Sequence, residues 1–215
     1  LATITSTAFG SFSTILTVDT QVYGTKNVIA VGTRTGTSST KYNAFKIIPR
    51  LSLFSPTIGS VGIYVTLSGD GFIGDEEVRI TFGSVYTKTT ISAPNGVFSN
   101  QTFQVDTQPY GTTTIIGIGI TNPAQQATSA TSFLIKANII KVSPNSGSVG
   151  TKVTVFGNGY AQSEQIHIGF GKTRTITITT TTNIGELMGV FTVDTQRYGI
   201  YNIVGTGTMS GEAHR

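Results

Sequence analysis

The side chains from which acid–base, nucleophilic and metal chemistry are built are scarce in this 215-residue chain: two His, ten Asp and Glu together, and no Cys. Zero Cys excludes disulfide scaffolds, thiolate zinc sites, iron–sulfur clusters and cysteine nucleophiles. His167 sits in a strand-like run, Gln165 to Phe170, and His214 is next to the last residue. Without a nucleophile elbow they form no triad, and without nearby ligands they form no zinc pair. Gly171-Lys172-Thr173 has the ending of a phosphate-binding loop. Ile166 stands where that loop needs its first Gly, and a Thr/Ile strand follows where a helix is required. Gly117-Ile118-Gly119 lacks the third Gly of a dinucleotide fingerprint. No catalytic constellation is present in the sequence, and neither an enzymatic activity nor a cofactor is expected.

Two weaker candidates remain. Asp70, Asp75, Glu76 and Glu77 form the one acidic cluster, and a calcium ion prefers several carboxylate and carbonyl oxygens from one loop. A related stretch later in the chain has Asn158, Ser163, Glu164 and Gln165 at these places, so a solvated turn is the favoured reading. Asn100-Gln101-Thr102 is an N-glycosylation sequon. The 38 Thr could carry O-linked sugars, but Thr also fills the wet face of half-exposed strands.

Lys and Arg number 14, for a net charge of +4, and they are scattered singly; Lys172 with Arg174 is the nearest approach to a cluster. A nucleic-acid footprint concentrates basic residues on one face, so no nucleic-acid partner is expected. No apolar run reaches the length of a membrane helix, so no membrane insertion is expected. Charged residues make up only 11%, and β-branched residues are abundant, which is the opposite of a disordered composition.

The elements that hold these residues are organised by an internal repeat. Val105-Asp106-Thr107-Gln108-Pro109-Tyr110-Gly111 is matched 87 residues earlier by Val18-Asp19-Thr20-Gln21-Val22-Tyr23-Gly24. It is matched 88 residues later by Val193-Asp194-Thr195-Gln196-Arg197-Tyr198-Gly199. A second signature runs from Ser55-Pro56 through Gly69-Asp70-Gly71-Phe72, and again from Ser143-Pro144 through Gly157-Asn158-Gly159-Tyr160. These matches divide the chain into 1–48, a partial repeat holding only later strands (about four); 49–136, a complete repeat; and 137–215, a repeat lacking its last strand. The expectation is a piece of a longer array. The joints, Pro49-Arg50 and Ala137-Asn138, are short and free of Gly/Ser runs, which favours stiff packing of neighbours.

Within a repeat the pattern is strand and turn. Strands are predicted over Val61–Leu67, Glu77–Phe82, Thr102–Val105, Thr112–Ile120 and Thr131–Ile135. Val78-Arg79-Ile80-Thr81-Phe82 alternates with period two, and no stretch shows a helical period. The fold class is all-β, as tandem immunoglobulin-like Greek-key sandwiches. The Asp-Thr-Gln-x-Tyr-Gly element falls between two strands and reads as a structural corner. Asp19, Asp106 and Asp194 would close an Asx-turn. Tyr23, Tyr110 and Tyr198 would bond upstream backbone through the hydroxyl, and Gly24, Gly111 and Gly199 would take positive φ.

Ser143 to Tyr160, Ser-Pro-x-x-Gly-x-x-Gly-Thr-x-Val-x-Val-x-Gly-x-Gly-Tyr, resembles the opening of IPT/TIG domains. The middle copy departs from it at Ile63, where the later copy has Thr151. The resemblance implies immunoglobulin-like modules set in tandem on microbial cell surfaces, as structural or adhesive segments of an extracellular filament, sheath or surface layer. Its alternative is a carbohydrate-binding or spacer module of a secreted glycan-acting enzyme. The expected partners are neighbouring repeats and identical chains, with glycans as a further class.

Overall fold

The computed structural model describes residues 2–122 and 125–214. It is all-β; the described residues hold 19 strands and no helix. The first segment contributes a two-stranded hairpin, β1 (Gly24–Val31) and β2 (Ser38–Ile47), with Gly24 opposite Ile47 and Thr25 opposite Lys46. Residues 2–23 form no strand. Two strands therefore stand where about four were expected. A strand needs a neighbour for its N–H and C=O groups. In the later segments the corresponding strands, Phe98–Gln104 and Leu187–Thr192, find that neighbour in Tyr64–Asp70 and Lys152–Asn158.

The middle segment runs β3 (Arg50–Ser55), β4 (Ile58–Gly59), β5 (Tyr64–Asp70), β6 (Glu77–Phe82), β7 (Val85–Ile91), β8 (Phe98–Gln104), β9 (Gly111–Thr113), β10 (Ile115–Gly119), β11 (Gln126–Thr128) and β12 (Phe133–Ile135). These form sheets β3-β5-β8, β11-β10-β6-β7 and β4-β12-β9. The last segment runs β13 (Asn138–Ser143), β14 (Lys152–Asn158), β15 (Gln165–Phe170), β16 (Thr173–Thr180), β17 (Leu187–Thr192), β18 (Ile203–Gly207) and β19 (Gly211–His214). Its sheets are β13-β14-β17 and β16-β15-β18-β19.

Alternation drives each sandwich shut. On β6, Val78, Ile80 and Phe82 are fully buried while Glu77 and Arg79 face out. They pack with Val65, Leu67, Phe72, Phe103 and Phe133 into one core. Phe82 meets the rings of Phe103 and Phe133 at 5.5 and 5.3 Å. A second core gathers Ile139, Val155, Tyr160, Ile166, Ile168 and Phe191. Each core is drawn from its own sandwich, and the joints are backbone contacts outside both cores.

Several strand boundaries differ from those predicted: β8 starts four residues before Thr102, and β12 starts two residues after Thr131. β5 starts three residues later than Val61, because Gly62 takes φ +91° and Ile63 bonds back to the Ser60 carbonyl, which keeps these residues in a turn. The predicted Thr112–Ile120 strand breaks at Thr114, and its halves, β9 and β10, serve two different sheets.

Candidate functional site

The repeated signatures meet at the joints. Asp19 and Asp106 each accept the next residue's amide, from Thr20 and Thr107 at 2.7 Å. Three residues further on, the tyrosine amide points across the joint. Tyr23 donates its main-chain N–H to the Phe72 carbonyl at 2.9 Å, and Tyr110 donates to the Tyr160 carbonyl at 2.8 Å. Gly24 and Gly111 follow at φ +113° and +134°, a conformation that suits glycine. The bond seen at this tyrosine is thus made by its amide, and its acceptor belongs to the next sandwich.

The receiving turn is built alike in both sandwiches. Phe72 and Tyr160 are fully buried, so each ring is anchored in its core while its carbonyl faces the preceding segment. The amides of Phe72 and Tyr160 bond the carbonyls of Gly96 and Gly185, both at 3.1 Å. Those glycines leave room for the preceding chain: an added Cβ would lie 3.2 Å from Val22 Cα at Gly96 and 2.8 Å from Pro109 Cα at Gly185. The linker closes the other side. A Cβ at Gly71 would lie 2.5 Å from the Ile48 carbonyl oxygen, and Gly159 faces the Lys136 carbonyl in the same way. These contacts need a bare backbone, which accounts for the second glycine of Gly-x-Gly-aromatic; the first, Gly69 or Gly157, packs against the Phe98 or Tyr160 ring of its own sandwich.

The third copy is arranged otherwise. Asp194 accepts hydrogen bonds from Thr173 Oγ1 and from Gln196 Nε2, which hold its carboxyl below the ordinary carboxylate range. Tyr198 is fully exposed, and Gly199 does not adopt the positive φ of Gly24 and Gly111. Nearby, the Tyr201 hydroxyl donates to the Arg197 carbonyl at 2.7 Å.

The acidic candidates do not converge. Asp70 is paired with Arg50 at 2.8 Å, and this bond and charge raise the guanidinium pKa. Asp75 sits in the turn at φ +59°. Glu76 is buried and accepts the Ile73 amide at 2.7 Å, whereas Glu77 is exposed at the head of β6. Among the described residues no three His, Asp or Glu lie close enough to hold a metal ion. At the later site Glu164 is also buried. Burial would raise its pKa, but hydrogen bonds from Ser210, Met209 and Ala161 outweigh this and hold it below 4.5. Asn100 is exposed on β8 at φ +52°, its amide bonded to Ser68 Oγ at 3.0 Å. His167 is exposed on β15, 3.4 Å from Thr175 Oγ1. The side chain of His214 lies outside the described residues. Gly171 and Lys172 make the turn between β15 and β16.

Sequence reasoning found both signatures and missed that one binds the other. The available signal was their fixed alternation: Phe72 follows Tyr23 by 49 residues, and Tyr160 follows Tyr110 by 50.

Residues 49–135, the middle sandwich, match the model of the IPT/TIG domain family. No curated protein sequence matches the chain. Among solved structures, a tetra-tandem repeat from the extending region of a large adhesion protein aligns over 90% of this chain and 56% of its own, at 14% identity and TM-score 0.40. The adhesin InvE of Yersinia pseudotuberculosis aligns over 78% of this chain and 57% of its own, at 10% identity and TM-score 0.37. SGBP-B, from a xyloglucan utilization locus of Bacteroides uniformis, aligns over 78% and 48%, at 19% identity and TM-score 0.29. The chain thus spans about half the length of each.

Proposed function

We infer that this chain is a non-catalytic structural or adhesive segment of a microbial cell-surface or extracellular protein, in which immunoglobulin-like sandwiches are held in fixed succession. The observation that carries this reading is the likeness of the two joints: the same amide-to-carbonyl bond, the same glycine contacts and the same short linker. A flexible connection between two binding modules needs none of these. A mechanical segment needs all of them, because a tether transmits force or spacing only if each unit has a set orientation to the next. Immunogold labelling of unpermeabilised cells of the source organism tests it. Labelling of the outer surface or of extracellular filaments is expected. Labelling only after permeabilisation would contradict it, as would turnover of an ester, glycoside or phosphate substrate that one point mutation abolishes.

A further inference from the structure

The third Asp-Thr-Gln-x-Tyr-Gly copy is the one with no sandwich against it. We propose that the Gln196–Gly199 loop is a docking element for a further sandwich of this same fold, connected in tandem, and that it holds that sandwich by donating the Tyr198 amide to the carbonyl of a Gly-x-Gly-aromatic turn. This rests on the tandem-segment reading above and names the partner and the atoms.

Two internal precedents specify the occupant. In each joint the loop lies beside a closing strand. Phe45-Lys46-Ile47 pairs with residues 24–26, and Phe133-Leu134-Ile135 pairs with 111–113 in the same register, Ile47 opposite Gly24 and Ile135 opposite Gly111. The chain then passes directly over the receiving turn, through the Ile48 or the Lys136 carbonyl. At the third copy the place of that strand is a groove lined by Val142, Phe170, Phe191, Val193, Tyr201 and Ile203. Residues 199–202 belong to no strand there, and Gly199 lacks the φ of its two counterparts. A closing strand laid in the groove and a sandwich docked on Tyr198 are therefore parts of one event. A second copy of this chain is not the occupant, because both of its receiving carbonyls are taken by its own Tyr23 and Tyr110.

Register fixes the test. His214 lies opposite Val204 as Thr128 lies opposite Ile116, so residues 129–214 repeated after His214 would add a closing strand and a further sandwich in frame. Amide hydrogen exchange by NMR is compared in the 215-residue chain, in the chain extended by 129–135 only, and in the chain extended by 129–214. Protection of Tyr23 and Tyr110 is expected in all three. Protection of Tyr198 by about 100-fold is expected only in the longest, a change of the size that separates frayed from structured amides. An extension ending in the middle sandwich, residues 49–135, replaces the first where that fails to fold, with the amides of the added core strands reporting folding. Tyr198 left open beside a folded added sandwich overturns the proposal while leaving the observed joints intact. Concentration-dependent protection of Tyr198 in the unextended chain overturns it in favour of a second copy. Fast exchange at Tyr23 and Tyr110 would instead overturn the stiff-segment reading itself.

Discussion

The middle and last sandwiches share a sequence plan and differ in closure. In the middle one, β12 lies between β4 and β9, Phe133 seals Phe82 from water, and the adjoining loop is locked onto Tyr160. In the last one, the groove over Phe170 is open, and the equivalent loop presents Tyr198 to solvent. The same hexapeptide thus has two conformations, according to whether a strand and a neighbour are in place. Its sequence encodes an ability to dock, and docking selects the glycine conformation that completes the corner.

The largest expected break in this comparison is in the cores. Phe82→Ala should cost about 3–5 kcal/mol, the usual range for truncating a buried Phe. Phe170→Ala should cost about half that, because its ring borders a groove already open to water. Chemical denaturation of the two variants checks the difference, and equal losses would mean that the groove is closed in solution.

The joint glycines come next. Gly71→Ala and Gly159→Ala should each cost about 2 kcal/mol, from a left-handed φ and a methyl driven against a carbonyl. Gly211→Ala also has positive φ, but open space around it, so it should cost only about 1 kcal/mol. The excess measures the joint, and thermal melting of the three variants reads it.

Acid sharpens the contrast from another side. The Glu164 pKa is lowered on folding, so its contribution is present above the unfolded value near 4.5 and is lost as pH falls through the lower folded value. Melting of the last sandwich should therefore weaken below about pH 4.5. Glu164→Gln should be less stable by about 1 kcal/mol at neutral pH and should lack that slope. An unchanged acid profile in the variant would remove Glu164 from this role.

Much of this was legible in the sequence because its cause is local. Val78-Arg79-Ile80-Thr81-Phe82 alternates, and alternation alone sets which face is buried. The glycines of Gly-x-Gly-aromatic were visible as a repeated signature, yet their purpose was not. A turn that must admit a neighbour's backbone looks, residue by residue, like one that merely reverses the chain. The tyrosine misled in the same way: its side chain drew attention, while its amide makes the bond to the next sandwich. The segment before Gly24 reads as strand-forming, but residues 2–23 form no strand, since propensity alone does not supply a partner for pairing.

The smallest expected effect follows from that point. Tyr110→Phe should change stability by no more than about 0.5 kcal/mol, since the cross-joint bond uses the main chain. A loss well above 1 kcal/mol in calorimetry would restore the hydroxyl to the joint.

The central claim is that the joint fixes one sandwich relative to the next, and residual dipolar couplings test it most directly. Couplings from β5, β6 and β8 and from β14, β15 and β17, measured on the intact chain in one alignment medium, should fit a single alignment tensor. Two tensors of different magnitude would show sandwiches reorienting independently, and would contradict the joint as a rigid element.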